Sequence, residues 1–334
     1  MAELIELTII IVNWNTGGLL RECIESIWRH PPRVGYEVIV VDNASTDESL
    51  ALLREAVSQR SEGAGRIRLI ENDLNLGFAK ANNQAIAVSD APLLLLLNPD
   101  TRVEPGAIDA LLASIRSQSR MGACAPRLLN ADGTLQPNVW PVPPTVSYIL
   151  CDGLRLYHLL PKRVRANWLL GAHWDHATRR QVAAFWGTAM MVRREMIEDV
   201  GALDESFEMY GEDCEWCVRM GQRGWLLYFE PAAEIIHYGG RSAAKRWTED
   251  ELWLLKAETN IRFQQRVLPP FKFVLNQLAY AFVLSLMSAK CVVRQKPANS
   301  LMEAVGLHLG YARRELGKLF SGARNGQAHQ GKAE

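Results

Sequence analysis

The chain carries no net charge: 37 lysines and arginines balance 37 aspartates and glutamates over 334 residues. That balance makes no electrostatic case for a nucleic-acid partner, which basic surfaces provide. The six cysteines, Cys23, Cys124, Cys151, Cys214, Cys217 and Cys291, lack the rhythm of a disulfide framework, which suits a reducing compartment. A basic leader is missing as well. Glu3 and Glu6 precede the first apolar run, so no secretory signal is expected. No internal repeat is apparent, which argues against a solenoid or propeller. At this length the chain can bury one large domain, or one domain with an appendage.

What is present is a series of short apolar runs that stop at polar residues. Leu93 to Leu97 is five consecutive leucines ending at Asn98-Pro99-Asp100, the pattern of a strand buried on both faces. Asp100 therefore falls at the carboxyl end of a central strand, where open α/β sheets bind ligands. Leu7 to Val12 stops at Asn13-Trp14-Asn15, and Tyr36 to Val41 stops at Asp42. Asp47 is positioned to cap the helix that follows, and Ile67 to Ile70 is a third short strand. Helices are expected around Leu20–Ile27, over Ala79–Val88 after the turn Asn75-Leu76-Gly77-Phe78, and over Glu104–Ser117. Strands alternating with helices predict βαβ units and a mostly parallel sheet.

Regularity lapses where Pro137, Pro141, Pro143 and Pro144 surround Trp140, a long surface excursion. It returns with a strand-like run from Val182 to Val192, a helix from Glu212 to Gly221 and a strand from Trp225 to Phe229. The last third reads as helical. Thr248 and Glu251 form a capping box for a helix to Val267, and Ser300 with Glu303 caps a later one. Between them Phe271, Leu275, Leu278, Phe282, Leu286, Ala289 and Val293 recur at helical spacing. Beyond Ser321 the composition is polar and Gly-rich, that of a disordered tail.

Three polar clusters can carry chemistry, and each also has a structural explanation. Asp100, with Asn98 on the same side of an extended chain, can ligate a hard divalent cation; Asn-Pro-Asp is equally a turn. Glu212 and Asp213 open a helix, where the macrodipole favours carboxylates, and one aimed into a cleft can act as general base. His237, after the run Ile235-Ile236, can be a further ligand, a phosphate contact or a structural residue.

In order and spacing these segments resemble the family 2 glycosyltransferases, which have the GT-A fold. The resemblance covers Leu7 to Gly240. It rests on Ile11-Val12-Asn13-Trp14-Asn15, Val41-Asp42-Asn43-Ala44-Ser45-Thr46-Asp47, Asn75-Leu76-Gly77-Phe78, Leu97-Asn98-Pro99-Asp100, and Glu212-Asp213 with His237 downstream. It is strongest to the rhamnosyltransferase-like branch. The resemblance implies a GT-A domain over 1–243, with a nucleotide-sugar half over 1–120 and an acceptor half over 121–243. A helical extension over 244–320 and a tail over 321–334 follow. It implies donor contacts from Asn15, Asp42, Asn75, Gly77, Asn83 and Asn98, and a Mg²⁺ or Mn²⁺ held by Asp100 and His237. Asp213, beside Glu212, would be the base of an inverting transfer, with L-rhamnose on dTDP as donor and a lipid-linked or polysaccharide acceptor. Asn98 stands where the family often has an aspartate, and Asn82-Asn83 where many relatives have an arginine, which disfavours a UDP-sugar. The competing readings are a non-catalytic nucleotide- or glycan-binding protein, and a glycoside hydrolase using Asp100 and Asp213.

Cys214-x-x-Cys217 has no second pair and reads as helix packing. His173 and His176 read as loop residues. Trp140, Trp168 and Trp174 are candidates for stacking on sugars, with Trp186 read as core. The Phe271–Val293 stripe lies opposite Lys272, Asn276, Tyr280 and Lys290, which predicts an amphipathic helix docked on the domain, on a partner or in a bilayer interface. With Arg313, Arg314 and Lys318 in the next helix, the expectation is a cytoplasmic protein peripheral on the inner membrane.

Overall fold

The computed structural model describes residues 4–59, 66–207, 209–239, 247–295 and 297–330, the stretch 322–330 by backbone alone. Two compact units emerge, Met1–Val142 with Leu170–Arg246, and Pro143–Leu169 with Trp247–Glu334. The second unit thus takes in 143–169, a stretch that the sequence reading had grouped with 121–243.

The first unit contains β1 (Leu7–Asn13), α1 (Gly18–Arg29), β2 (Tyr36–Asp42), α2 (Ser49–Ser58), β3 (Arg66–Glu71) and α3 (Phe78–Val88). It continues with β4 (Leu93–Leu97), β5 (Thr101–Val103), α4 (Ala107–Arg116), β6 (Met121–Leu129) and β7 (Leu135–Gln136). After α5 (Val146–Gly153) and α6 (Lys162–Trp168) of the second unit, it resumes with β8 (Arg180–Gln181), β9 (Ala189–Arg193), α7 (Arg194–Val200), α8 (Glu212–Gln222) and β10 (Leu226–His237). One sheet has the order β3-β2-β1-β4-β9-β6-β10-β5, with β7 on β6 and β8 on β10.

The leucine run is β4, all five residues buried, between parallel β1 and antiparallel β9. Ile9, Ile11, Val38, Val40, Leu95 and Leu97 share a core with the inward faces of α1 and α4. Burial on both sides is why these strands are continuously apolar. Because β1 to β4 are parallel, their carboxyl ends share one edge, where Asn13 pairs with Asp42 and Asp42 with Glu71. The sheet is mixed beyond β4. Ladder pairing of β9 with β4 begins at Ala189, opposite Leu97, so the expected strand from Val182 to Val192 is shorter and the residues before it form a loop.

The second unit adds α9 (Glu249–Val267), α10 (Pro270–Val293) and α11 (Asn299–Gln330). Thr248 and Glu251 form the anticipated capping box on α9. The backbone of α11 continues to Gln330, past Ser321 where composition predicts loss of order; 331–334 lie outside the described residues. α10 packs Phe273 and Val274 against Ile261 and Ala312, and Ala279 and Val283 against Ile149. Of the three dockings the stripe allows, its orientation excludes the one onto the domain: Asn276 and Gln277 are buried, whereas Leu275, Leu278, Phe282 and Leu286 are exposed.

Hydrogen bonding explains this rotation. Asn276 Nδ2 donates to Pro144 O at 2.7 Å and Gln264 Oε1 at 3.0 Å. Gln277 Oε1 pairs with His308 Nδ1 at 2.7 Å, and the His308 ring stacks on Tyr280. Burial lowers the His308 pKa to about 4, so the ring is neutral and Nδ1–H donates. The unfolded chain takes up that proton near pH 6.5, so stability falls as pH drops from there toward 4, by about 3 kcal/mol in total. His308→Gln should therefore lower the thermal midpoint at pH 7.5, and the gap to wild type should close by pH 4.5; a constant gap across a melting series would refute this.

Candidate active site

Three clusters form along the carboxyl edge of the sheet, and backbone pairing sets each. The first lies between β1 and β2. Asp42 is only 2 % exposed, and its carboxylate accepts from Asn13 Nδ2 at 2.7 Å and Ser45 N at 2.9 Å. Asn15, at φ +52°, accepts the Thr46 and Asp47 amides on Oδ1, and Asp47 in turn receives the amides of Gly17 and Ser49. These carboxylates and amides order the rim of a cleft. Asn43 Nδ2 ties the rim to Gly77 O at 3.2 Å, and Asn75 Oδ1 closes the turn before α3 on Gly77 N.

Two of the expected donor contacts also hold the rim itself together. Asp42 accepts one hydrogen bond on each oxygen inside the rim, which leaves each oxygen a further lone pair. Asn83 donates to Leu203 O and Glu205 Oε1 and accepts from Leu203 N, so its amide clamps α3 to the 203–205 loop. An amide clamp and an amide ligand use the same residue type, which is why sequence alone does not separate them.

The second cluster joins Asp100 to His237. β5 follows Asp100 directly and pairs antiparallel with β10, setting Thr101 opposite His237. His237 Nε2 comes to lie 3.3 Å from Asp100 Oδ1. Its other nitrogen faces Gln136 Oε1 at 2.6 Å, and Gln136 Nε2 donates to Asn130 Oδ1 at 2.9 Å. The second bond fixes the Gln136 amide, so Oε1 is the acceptor and His237 Nδ1 carries a proton. In the neutral ring Nε2 then aims a lone pair at a carboxylate oxygen, an arrangement that a cation between them satisfies. An imidazole nitrogen and a carboxylate oxygen suit Mn²⁺ or Mg²⁺, which complete their shells with phosphate and water. No cluster of three His, Cys, Asp or Glu side chains is present among the described residues, so phosphate oxygens and water would have to supply the other ligands.

The third cluster is the start of α8. Tyr210 and Gly211 both have left-handed backbones, at φ +69° and +87°, turning the chain sharply into Glu212 and Asp213. Trp216 Nε1 bonds Gly201 O, and Arg219 bonds Glu215 and the carbonyls of Val200 and Ala202, locking the helix in place. Asp213 Oδ2 accepts from Gly187 N and Oδ1 from Cys214 N, each at 2.7 Å. The approach is close: a Cβ at position 187 would lie 3.2 Å from Asp213 Cβ. One residue on, Thr188 O accepts from Asn98 N at 2.9 Å. Two neighbouring residues, through one N–H and one C=O, thus hold the candidate base and the Asn98-Pro99-Asp100 turn.

The adjacent carboxylates are electrostatically unequal. Burial, followed by the Asp213 charge, raises the Glu212 pKa to about 8, and Glu212 Oε2 finds no hydrogen-bond partner. Burial also raises Asp213, but the Gly187 and Cys214 amides oppose that shift. The proton of the pair therefore belongs on Glu212, leaving Asp213 as the carboxylate. Gln136, Gly187 and Thr188 were not singled out as site residues from sequence; a two-residue strand and two backbone contacts leave almost no signal. Trp186 was read as core, yet it is 40 % exposed and stacked on Trp140 at 5.8 Å, while Trp174 is 6 % exposed. His176 is buried against Trp174 and Phe229 and is a core residue.

A mixed sheet whose first strands are parallel, flanked by helices, is the GT-A architecture. The glycosyl transferase family 2 model matches residues 8–201, and the chain belongs to that family. A glycosyl transferase family group 2 model matches residues 153–295. The chain is 29 % identical over 252 residues to the N-acetylglucosaminyl-diphospho-decaprenol L-rhamnosyltransferase of Mycobacterium tuberculosis, covering 72 % of this chain and 78 % of that one. Its fold matches a mannosyltransferase from Pyrobaculum calidifontis solved with GDP-Man and Mn²⁺, at TM-score 0.55 and 14 % identity, over 93 % of this chain and 87 % of the other. It also matches GalNAc-T7 solved with UDP, GalNAc and Mn²⁺, at TM-score 0.52 and 17 % identity, over 80 % and 52 %.

The inequality of the pair has a measurable consequence. Unfolded, Glu212 ionises near 4.5; folded, near 8, so its contribution to stability is full below pH 4.5 and is lost as pH rises through 8. Glu212→Gln should raise the thermal midpoint by a margin that grows from pH 5 to pH 8, reaching about 2–4 kcal/mol. A margin independent of pH would place the proton elsewhere.

Proposed function

We propose that this chain is an inverting glycosyltransferase. It moves L-rhamnose from dTDP-rhamnose to a lipid-linked or polysaccharide acceptor in cell-envelope glycan synthesis, at the cytoplasmic face of the inner membrane. The observation that carries the transfer reading is the joint anchoring of Asp213 and the Asp100 turn by Gly187 and Thr188. The choice of sugar and acceptor draws on the printed name of the mycobacterial relative. Asn82-Asn83, where the family resemblance leads one to expect an arginine, agrees with a donor other than a UDP-sugar.

In this reading the polar rim around Asn15, Asp42, Asn75 and Gly77 holds the nucleotide. Asp100 and His237 hold a Mg²⁺ or Mn²⁺ ion, whose neutralisation of the departing diphosphate is typically worth several kcal/mol. Asp213 accepts the proton of the acceptor hydroxyl as that oxygen attacks the anomeric carbon. The Gly187 and Cys214 amides keep its carboxylate ionised and oriented. Glu212, protonated, spares Asp213 a second negative neighbour. Trp186, exposed and backed by Trp140, offers an aromatic face beside the base on which an acceptor sugar ring can stack.

Two measurements test this. Calorimetry with dTDP, UDP and GDP, with and without Mn²⁺ or Mg²⁺, should show metal-dependent binding of dTDP that Asp100→Ala abolishes; binding of none by folded protein would sink the donor site. Asp213→Asn should lower kcat by about 10²–10⁴-fold while leaving nucleotide affinity unchanged. Undiminished turnover would remove Asp213 as base, and wild-type protein that binds nucleotide but never turns over would be a binding protein.

A further inference from the structure

We infer that the outward face of α10 is a membrane-docking surface that lies in the interface of an anionic bilayer. The helix is apolar nearly all round, a pattern found where both faces are covered. One face is covered by α9, α11 and α5, through Phe273, Val274, Ala279 and Val283. The other is not. Phe271 is 65 % exposed and Phe282 52 %, with Leu275, Leu278 and Leu286 between and beyond them on the same side. Val293 continues the line at 83 %. On α11, Met302, Leu309 and Phe320 are exposed and fall on one side at helical spacing. Scattered exposed apolar residues are ordinary on soluble proteins, but a continuous ridge of them marks an interaction surface.

Charge chooses the occupant. From Pro270 to Gln295 there is no acidic residue, while Lys272, Lys290 and Arg294 are present and exposed. Lys272 and Lys290 are 18 residues apart, about five full turns, so both fall on the same edge of the ridge. An apolar ridge with a basic edge and ends matches an interfacial helix on anionic headgroups, its side chains reaching about 5–10 Å into the acyl boundary. A second copy of this chain fits poorly. Antiparallel pairing of the ridges would set Lys272 near Lys290 of the mate, with no carboxylate on either helix to offset them.

The helix is also long and apolar enough, by length and composition, to cross a membrane. Its buried side argues for lying flat instead. Asn276 and Gln277 are hydrogen-bonded to Pro144, Gln264 and His308, and a spanning helix would have to break those bonds. The docking surface is independent of which sugar is moved, and its test needs neither donor nor acceptor.

The experiment is flotation of the full chain with phosphatidylglycerol-containing vesicles and with pure phosphatidylcholine vesicles, at low and high salt. Wild type should float with the anionic vesicles, and less at high salt. Phe282→Asp should cut partitioning by about tenfold or more, with circular dichroism and thermal midpoint unchanged. Lys272→Glu with Lys290→Glu should remove the preference for anionic lipid. Should Phe282→Asp misfold, Leu278→Asn with Phe282→Asn replaces it. Failure of wild type to float, or variants that float as well as wild type, overturns the proposal. So does a dimer in solution that Phe282→Asp dissociates, which would make the ridge a contact between copies. Resistance of the membrane-bound protein to alkaline carbonate extraction would show a spanning helix and overturn it as well.

Discussion

The site depends on the backbone of two adjacent residues, Gly187 and Thr188, in the turn that leads into β9. One offers its N–H and the other its C=O, so one short piece of chain donates to a carboxylate and accepts from a different element. Gly187 N–H holds Asp213 and Thr188 C=O holds the Asn98 amide, which precedes Asp100. The base and the cation-binding turn come from helix and sheet elements more than a hundred residues apart in sequence. Their relative position is set by backbone rather than by flexible side chains. That is the kind of rigidity reaction geometry needs, since small misplacements of reacting groups are costly. The absence of a side chain at 187 is part of this arrangement, because a Cβ there would crowd Asp213.

The same backbone economy explains how Glu212 and Asp213, neighbours of nearly identical chemistry, come to differ. Asp213, half-buried, receives two amide hydrogens, whereas Glu212 is buried and its Oε2 receives none. In a site of low polarisability, hydrogen bonds to the ionised form decide which of two coupled carboxylates keeps the proton. His237 follows a related logic at the other end of the site. Gln136 occupies its Nδ1 side, so only Nε2 is directed toward Asp100. A partner behind a metal-ligating histidine commonly sets its tautomer in this way.

Much of the fold was legible because burial imposes periodicity. The leucines of β4, the apolar runs of β1 and β2 and the Thr248–Glu251 capping box each have one dominant physical reading, and each sits where it was expected. At the site, Asp100 and His237 do meet and Asp213 does sit at a helix start beside a glycine contact. Polar residues whose chemistry serves equally for a ligand or for the chain itself are less legible. Asn83 and Asp42 make hydrogen bonds to loops, and no property of an isolated amide or carboxylate announces those partners. Trp186 was misread for a different reason: an apolar ring beside a strand looks like core until the strand is seen to begin three residues later, at Ala189.

Periodicity gives α10 its helical character and its stripe but leaves its rotation open, and what settles the rotation is energetic. Turning the leucine ridge inward would gain hydrophobic burial, yet it would expose Asn276 and Gln277 and strip Gln264 and His308 of partners in the unit interior. A buried amide or imidazole left unpaired costs about 1–3 kcal/mol, and several would be orphaned together. The inward face also retains Phe273, Val274, Ala279 and Val283, so the observed rotation sacrifices little apolar contact. The polar network thus acts as a rotational key: it admits one orientation of a helix whose faces are otherwise similarly apolar. The ridge left outside by that key is a consequence of satisfying hydrogen bonds within.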